Sequence, residues 1–367
     1  MISTIENTIL SRNLFTPATP VVLMVSGGSD STALAYIMKE LSSHNFCGPL
    51  AILHVNHKIR GQEADDDQKF VEELAAKLAI PYFACEVNIP LIAAERGGNV
   101  EAIAREERYL AAHEALESLC NHCAVPVSLG RIVTAHTQDD RVENFYMRSI
   151  KGTGPGGFRS MLYKNGPVVR PLLDVSRLDL RNYLVELAQD EQAVIRDAHG
   201  KLWREDATNA HTDRFRAFVR HEIIPLAKSQ NGKLLDTLTR TMNLIADEDD
   251  FMNKLAAQAY TEHLEWIGLE SCGPGETPDG CLFLPSFGLV EKPLARRVVL
   301  AALKVFLGEE ARIDSSSIEV VIDAFDSDGL PRSGLAVNIQ GDLAVSANKK
   351  GVLLEPMAVF RARRKRK

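Results

Sequence analysis

Short apolar runs alternate with amphipathic stretches through the first half of the chain. Buried strands are predicted where the apolar runs lie, at residues 21–25, 50–55, 82–87, 131–135 and 168–173. Helices are predicted between and after them, at residues 31–41, 65–78, 100–119, 139–150 and 178–187. Strands separated by helices indicate βαβ units and therefore an α/β fold with a doubly wound, Rossmann-like parallel sheet. Ligands of such folds bind beyond the carboxyl ends of the strands.

The pattern changes near residue 230, where the chain becomes mostly helical. Helices are predicted at 234–260, 294–306 and 315–325, a loop at 271–280, and a small β meander at 334–354. A length of 367 residues also favours two domains. We therefore predict an α/β domain over residues 1–230, followed by a mostly helical C-terminal domain with terminal strands over residues 231–367.

Composition limits the environment of the protein. Hydrophobic residues make up 45% of the chain, which is enough for a sizeable core. No window approaches a membrane-spanning apolar run, and no basic stretch followed by an apolar one opens the chain. The six cysteines are spread thinly, which favours a reducing compartment over a disulfide framework. We expect a cytoplasmic protein that does not contact membranes.

One pair of cysteines has chemically suggestive spacing. Cys120 and Cys123 are spaced like metal ligands or a redox pair, and His113 and His122 lie nearby. A single CxxC without a second pair is a weak signal. We interpret the two residues as half-buried thiols at the end of a helix, with metal or redox chemistry as the alternative.

The charge of the chain is unevenly distributed. The formal net charge of −7 argues against a generally basic surface. Residues 131–230 nevertheless carry 16 basic and 13 acidic side chains, whereas the segments on either side are net acidic. The chain ends in a cationic tail that comprises Arg361, Arg363, Arg364, Lys365, Arg366 and Lys367. Such a tail is suited to contact phosphates, although solubilising tails of the same composition are common.

A cluster of glycines and hydroxyls separates the first predicted strand from the first helix. It comprises Ser26, Gly27, Gly28, Ser29, Asp30, Ser31 and Thr32. Adjacent glycines let the backbone approach an oxyanion, and the loop amides with the helix N-terminus form a positive pole for phosphate. Asp30 is placed to hold Mg²⁺ or to orient the loop. The Walker and GxGxxG signatures are both absent, and the alternative is a Gly-Gly turn with a helix cap.

Carboxylates cluster where the fourth strand is predicted to end and a helix to begin, after His136. Asp140 and Glu143 are three positions apart and share a helix face. Two carboxylates that face one pocket suit Mg²⁺ or the ammonium group of a free amino acid. The alternative is an acidic first turn favoured by the helix dipole, which applies mainly to Asp139.

Two further sets of polar residues are candidates for nucleotide or RNA contacts. Arg105 and Arg108 are three positions apart on a predicted helix, where they can meet phosphate or RNA, or pair with neighbouring glutamates. His54 and His57 lie at a strand end and are predicted to face the same way. We expect the histidines to line a nucleotide pocket, since no matching Cys/His pair indicates a metal site.

The cluster at residues 26–32 resembles the SGGxDS pyrophosphate-binding loop of the N-type ATP pyrophosphatases, the PP-loop superfamily. Further segments are similar, in the same order, to motifs of the tRNA(Ile)-lysidine synthases within that superfamily. They are residues 54–60 (HVNHKIR), 104–109 (AREERY), 135–143 (AHTQDDRVE), 170–173 (RPLL), 205–209 (EDATN) and 214–225 (RFRAFVRHEIIP). Their joint order, over residues 20–230, is more specific than any one of them.

The resemblance implies an enzyme that uses ATP and Mg²⁺ to adenylate the wobble cytidine of tRNA(Ile) with a CAU anticodon, then joins lysine to C2. It implies catalytic roles for Asp30, Arg105, Asp140 and Glu143, of which Asp140 and Glu143 bind lysine. It implies that ATP is bound by Ser26, Gly27, Gly28, Ser29, Asp30, Ser31, His54, Asn56, His57 and His136. It implies that tRNA is bound by Arg108, Arg214, Arg216, Arg220 and residues 231–367. A homodimer is compatible with it, although the sequence does not give the oligomeric state.

Some positions depart from the family motifs. Thr137, Asn144 and Ala217 stand where the motifs have His, Thr and Asn. Ala217 cannot make an asparagine's contacts, which bears on tRNA binding more than on ATP use. One alternative is a tRNA thiolating enzyme of the same superfamily, but those carry a CxxC at the start of the helix that here has Cys120 and Cys123 at its far end. A non-catalytic RNA- or nucleotide-binding relative is the other alternative.

Overall fold

A computed structural model describes residues 1–204, 215–269, 276–309 and 311–365. The chain forms two compact units, Met1–Ile245 and Ala246–Lys367. The division therefore lies about fifteen residues beyond the boundary expected near residue 230. The reason is that the segment after residue 230 contributes Met242 to an apolar cluster of the first unit. Among the described residues, no helix is both long and apolar enough to cross a bilayer.

The first unit is built on a six-stranded sheet with the order β3-β2-β1-β4-β6-β5. The strands are β1 Val21–Met24, β2 Leu50–Asn56, β3 Tyr82–Glu86, β4 Arg131–Val133, β5 Lys164–Asn165 and β6 Val168–Val169. All neighbouring pairs are parallel except β5 and β6, which form an antiparallel edge. The predicted doubly wound parallel sheet is confirmed.

Strand β6 is shorter than the predicted strand at 168–173. Pro171 has no amide hydrogen for a sheet ladder, and the chain turns over residues 171–174. The amide of Arg170 instead donates to the carbonyl of Tyr163 at 2.8 Å, which closes the antiparallel edge.

Seven helices of the first unit surround this sheet or lead into it. They are α1 Ile2–Ser11, α2 Ser29–Ser43, α3 Gln62–Leu78, α4 Ile89–Arg96, α5 Val100–His122, α6 Gln138–Lys151 and α7 Arg177–Leu187. Helices α1 and α4 were not predicted. Helix α1 buries Ile5 and Ile9, four positions apart, against the core. Helix α4 begins at the cap Asn88, whose side chain accepts from the amide of Leu91.

Helices cover both faces of the sheet, because successive side chains of β1 point to opposite faces and all of the apolar ones need partners. Val21 and Leu23 belong to a core cluster that includes α2, α3 and α7, whereas Val22 packs in a second cluster with α5. The parallel strands β1, β2 and β4 all end at the same edge of the sheet. That edge receives the phosphate-loop candidate, the His54 segment and the His136 segment.

Beyond residue 214 the first unit continues as helix. The segments are α8 Phe215–Phe218, a π-helical turn Val219–Ile223, α9 Ile224–Gln230 and the beginning of α10 Leu234–His263. Val219 and Ile224 are buried with Val142 of α6. This packing lays the helix that carries Arg216 and Arg220 alongside α6.

The second unit contains a five-stranded antiparallel sheet with the order β7-β8-β11-β10-β9. Its elements after α10 are β7 Leu264–Ile267, β8 Gly280–Phe283, α11 Lys292–Leu307, α12 Ser315–Ile322, β9 Ala336–Ile339, β10 Leu343–Asn348, β11 Gly351–Pro356 and α13 Met357–Lys365. The predicted meander corresponds to β9–β11, and β7 and β8 extend it. Residues 271–275 of the predicted loop lie outside the described residues.

Candidate active site

The turn at residues 26–32 is built by its own hydroxyl groups. Helix α2 starts at Ser29, with Gly28 as its N-cap, and Gly27 has a φ of 91°, which favours glycine. The Ser31 hydroxyl donates to the carbonyl of Gly28 at 3.1 Å, and the Thr32 hydroxyl donates to the carbonyl of Gly27 at 3.1 Å. Because these bonds use carbonyl oxygens, the amides of the first helical turn are left at a positive helix end, suited to an anion.

Asp30 is the acidic group of this turn. Its Oδ1 accepts from the Ser29 hydroxyl at 2.9 Å, and its Oδ2 accepts from Nε of Arg177 at 3.0 Å. Burial raises the pKa of Asp30, and Arg177 opposes that shift without cancelling it. A partly buried carboxylate beside the turn fits the predicted Mg²⁺ partner of a bound triphosphate.

A second arginine, Arg204, braces the turn from outside. Its amide donates to the carbonyl of Gly27 at 2.9 Å, and its Nε donates to Asp67 at 2.7 Å. Asp67 is buried and also accepts from Arg60 at 2.8 Å. The sequence analysis missed this brace, although Arg204 directly precedes the EDATN segment. Residues 205–209 of that segment lie outside the described residues.

The two histidines of β2 and its following loop have different partners. The buried His54 shares a 2.9 Å hydrogen bond between its Nδ1 and the carbonyl of Val25. His57 accepts at Nε2 from Arg108 at 3.2 Å, and burial, reinforced by Arg108, lowers the pKa of His57 to about 4. The expectation that both face the same way was wrong, because they are three positions apart and β2 ends at Asn56.

Asn56 serves the fold of this edge. Its amide nitrogen donates to the carbonyl of Ala64 and to the side chains of Asp65 and Gln68, and its Oδ1 accepts from the amide of Lys58. These bonds tie the end of β2 to α3. A contact of Asn56 with ATP stays a prediction.

Helix α5 brings two arginines to the same edge. The guanidinium of Arg105 stacks over the ring of Tyr109 at 5.0 Å, and Arg108 reaches His57. Arg170, which follows β6 and is buried, also contacts Tyr109. The edge therefore combines aromatic and cationic groups, as sites for unstacked nucleotides do.

Helix α6 begins with a capping box that fixes Asp140. The side chain of Thr137 accepts from the amide of Asp140, and Oδ2 of Asp140 accepts from the amide of Thr137 at 2.8 Å. Thr137, which departs from the family's histidine, is thus the N-cap of the helix. His136, just before it, shares a 2.8 Å hydrogen bond with Thr134, and burial lowers the pKa of His136 to about 4.

Asp140 and Glu143 lie together, as their spacing predicts, and arginines contact both. Arg216 bridges them, with its Nη2 2.7 Å from Oδ1 of Asp140 and its Nε 2.8 Å from Oε2 of Glu143. Arg220 binds Glu143 at 2.6 Å. Burial would raise the pKa of Asp140, but Arg177 and Arg216 together outweigh it and lower that pKa.

These contacts change the expectation for the arginines of the 214–225 segment. Arg216 and Arg220 were assigned to tRNA, but in the structure their guanidinium groups bind the carboxylates of α6. The reason is the packing of Val219 against Val142, which turns the face with Arg216 and Arg220 toward α6. Arg214 lies outside the described residues.

Arg177 is the central residue that the sequence analysis missed. Its Nε binds Asp30, its Nη2 lies 3.3 Å from Asp140, and its Nη1 lies 3.8 Å from Glu143. Its amide donates to Asp139 at 2.8 Å. A signal was available, because Arg177 is the first residue of α7, where the helix dipole disfavours a cation.

The back of α6 is held by a buried polar network. Arg141, fully buried, donates to the hydroxyl of Tyr163 at 2.9 Å and to Oδ1 of Asn243 at 3.0 Å. Asp174 accepts from Tyr163, from Arg141 and from Thr8 of α1. These hydrogen bonds tie α6 to Tyr163, Asp174 and Asn243 and thereby help to fix the position of its acidic face, although Nε of Arg141 is buried without a hydrogen-bond partner.

The paired cysteines lie away from this edge. Cys120 is buried in the cluster beneath α5, next to Gly130 at the start of β4, and burial raises the pKa of its thiol. Cys123 is the C-cap residue of α5. This agrees with the interpretation of both as structural thiols at a helix end. Among the residues that the structure describes, no group of three or more His, Cys, Asp or Glu side chains could hold a metal ion.

Comparison with known proteins places the chain in a family. A tRNA(Ile)-lysidine synthase of Thermus thermophilus is 35% identical over 304 residues, which cover 81% of this chain and 51% of that protein. One of Geobacter sulfurreducens is 29% identical over 317 residues, which cover 84% of this chain and 60% of that protein. The chain thus spans about half to three fifths of the length of these relatives.

A solved U34-tRNA thiolase of Methanococcus maripaludis superposes with a TM-score of 0.49 at 16% identity, covering 67% of this chain and 78% of its own. The family model described as a PP-loop domain matches residues 3–227, which contain the turn, the acidic pair and the arginines around them. The chain belongs to the PP-loop domain family.

Proposed function

We propose that this protein uses ATP to adenylate the wobble cytidine of tRNA(Ile) with a CAU anticodon and then joins lysine to C2, releasing pyrophosphate and AMP. The product is lysidine. The relatives named as tRNA(Ile)-lysidine synthases support this reading, as does the PP-loop match. The observation that carries it is that the turn at 26–32 and the pair Asp140 and Glu143 contact the same guanidinium, that of Arg177.

In the first step, O2 of the cytidine attacks the α-phosphorus of ATP, and the bond to pyrophosphate breaks. The amides at the start of α2 hold the leaving pyrophosphate, while the hydroxyls of Ser29 and Ser31 keep the turn in shape. Asp30 would hold Mg²⁺ together with the triphosphate, and the ion would supply charge stabilisation for the phosphoryl oxygens. Asp30 therefore acts on this step through the phosphates.

The cytidine enters beside the aromatic and cationic groups at the ends of β2 and β6. Tyr109 offers a ring for a base, while Arg105 and Arg108 offer charge to phosphates or to the adenylated oxygen. His57 and His136, with pKa values of about 4, are neutral at pH 7 and can line the pocket without adding charge. The wobble base must be unstacked from its loop to reach them.

In the second step an amine of lysine attacks C2, and AMP leaves. Lysine carries two amino groups, so Asp140 and Glu143 can hold one as ammonium while the other loses its proton and attacks. The carboxylates are buried and close together, which makes them a defined acceptor for an ammonium group. Their present arginine partners must yield part of that contact when lysine binds.

Recognition of the tRNA body is proposed for residues 231–367. Within the second unit, α13 carries exposed Arg361, Arg364 and Lys365, and the buried Glu355 anchors the helix by pairing with Arg363. Cations on an anchored helix suit phosphate contacts. Cytoplasmic location and a homodimer stay predictions.

Labelled lysine tests the proposal directly. The protein is mixed with ATP, Mg²⁺ and a CAU-anticodon tRNA(Ile) transcript, and label in the RNA is measured beside a transcript with a UAU anticodon. We expect label in the first RNA only, and none with Asp30→Asn. Absence of label with folded wild-type protein would contradict the proposal. The buried Cys120 at the opposite edge argues against sulfur transfer as the outcome.

A further inference from the structure

Arg177 is in contact with both halves of the site. It bonds to Asp30 in the turn at residues 26–32. On α6 it lies 3.3 Å from Asp140 and 3.8 Å from Glu143. Its guanidinium is largely buried, with a side-chain exposure of 20%. If another ligand displaces this guanidinium from one carboxylate, the contacts of Arg177 with the other two carboxylates must also change.

The charges of this group balance. Three carboxylates, those of Asp30, Asp140 and Glu143, meet three guanidinium groups, those of Arg177, Arg216 and Arg220. An ammonium group that enters such a neutral cluster meets cations as near as the carboxylates it seeks. A triphosphate at the turn brings net negative charge next to Asp30 and therefore attracts the nearest cation.

Arg177 is the cation that connects the turn to the acidic pair. Arg216 and Arg220 bind Asp140 and Glu143, whereas Arg177 also binds Asp30. Its backbone is held independently, because its amide donates to Asp139. The side chain can therefore turn toward phosphate oxygens while the start of α7 stays in place.

We propose that Arg177 couples the two substrate subsites: it binds the polyphosphate held at residues 26–32 and thereby withdraws one of the three guanidinium groups that compete with the ammonium of lysine for Asp140 and Glu143. This inference rests on the proposed function for the identity of the amino acid. Nucleotide and lysine then bind with positive cooperativity, and the coupling is reciprocal.

Calorimetry measures this coupling in the full chain. The dissociation constant for lysine is determined with and without Mg²⁺ and α,β-methylene-ATP, and that for the nucleotide is determined without lysine. In the wild type we expect lysine to bind about tenfold more tightly when the nucleotide is present. In Arg177→Met we expect the nucleotide to bind about tenfold more weakly, lysine alone to bind no more weakly than in wild type, and the cooperativity to vanish.

Two further variants make the result specific. Arg177→Lys keeps the charge but loses the planar fork, and it should retain part of the nucleotide affinity and part of the cooperativity. Arg296→Met, which breaks an exposed pair with Glu319 in the second unit, should leave all three constants unchanged. Thermal unfolding of each variant checks that the fold is intact.

Specific outcomes would overturn the coupling. These are a wild type without cooperativity, or an Arg177→Met protein that keeps the wild-type cooperativity. If lysine binds to none of the proteins, the proposed function is wrong about the amino acid. The nucleotide titration still decides the role of Arg177 in that case, because an unchanged affinity in Arg177→Met excludes a phosphate contact.

Discussion

The turn at residues 26–32 and the acidic pair of α6 contact the same guanidinium, that of Arg177, yet they are held in different ways. The turn is stabilised by neighbours in sequence, since the hydroxyls of Ser31 and Thr32 bind carbonyls at most five residues away. The acidic pair is stabilised by arginines that lie 34 to 80 positions further along the chain. Local hydrogen bonds shape the turn, which Arg204 also braces, whereas the pair depends mainly on ion pairs with residues distant in the chain.

The largest effect should follow from removing the charges of the pair while keeping its shape. Asp140→Asn combined with Glu143→Gln should raise the KM for lysine roughly a hundredfold or more, because two charge-assisted hydrogen bonds are weakened. Pyrophosphate release in the absence of lysine should persist. Steady-state kinetics and a pyrophosphate assay measure the two steps. Equal loss of both would show that the pair serves the phosphate half as well, which breaks the comparison.

The next largest effect is a pH dependence of stability at His136, the neutral neighbour of the pair. Burial holds its folded-state pKa at about 4, below the ordinary value of about 6.5, so between these pH values the unfolded chain binds more protons. This contribution is fully present above pH 6.5 and is lost as the pH falls toward 4. Relative to His136→Gln, wild type should lose about 2 kcal/mol between pH 7 and pH 4.5. Urea unfolding at both pH values measures it, and a constant difference would contradict it.

A smaller effect is expected at the turn itself. Gly27→Ala places a Cβ at a φ of 91° and 3.3 Å from Cγ of Arg204. The unfolding free energy should fall by about 1–2 kcal/mol, and nucleotide affinity should fall with it. Gly154→Ala is the matched control, since its Cβ meets nothing within 4 Å. Equal melting temperatures for the two variants would mean that the turn does not depend on its glycine.

The smallest effect concerns the capping box at the start of α6, which is the local interaction that holds Asp140. Thr137→Ala removes the side-chain cap of α6 and should cost about 1 kcal/mol of unfolding free energy. Thr137→Ser should restore most of it. Chemical denaturation compares the three proteins, and a Ser variant as unstable as the Ala variant would argue against the cap.

The local features of the site could be predicted from the sequence. The strand, turn and helix around Gly27 follow from residues that adjoin in the chain, and the shared face of Asp140 and Glu143 follows from helix geometry. The parallel sheet follows from the alternation of strands and helices. Each of these predictions needs only neighbours within a few turns.

The partners of those features could not be predicted in the same way. Arg216 faces α6 because Val219 packs against Val142, and no local sequence pattern predicts that packing. Arg177 lies 147 positions from Asp30 in the chain, and only the sheet topology brings the two together. Strands β7 and β8 were missed, and β8 joins the sheet by pairing with β11, which lies far along the chain. The spacing of residues in the sequence identifies the polar side chains of the site better than it identifies the distant residues that contact them.

The capping box of α6 has a consequence for molecular recognition. Oδ2 of Asp140 is engaged by the amide of Thr137, so the proposed lysine site has three oxygens to offer once its arginines yield them: Oδ1 of Asp140 and both oxygens of Glu143. A primary ammonium has three donors, so it can satisfy this tripod, whereas an N-methylated amine leaves one oxygen unmatched. If lysine binds here as proposed, the helix cap favours an unsubstituted ammonium over a methylated one.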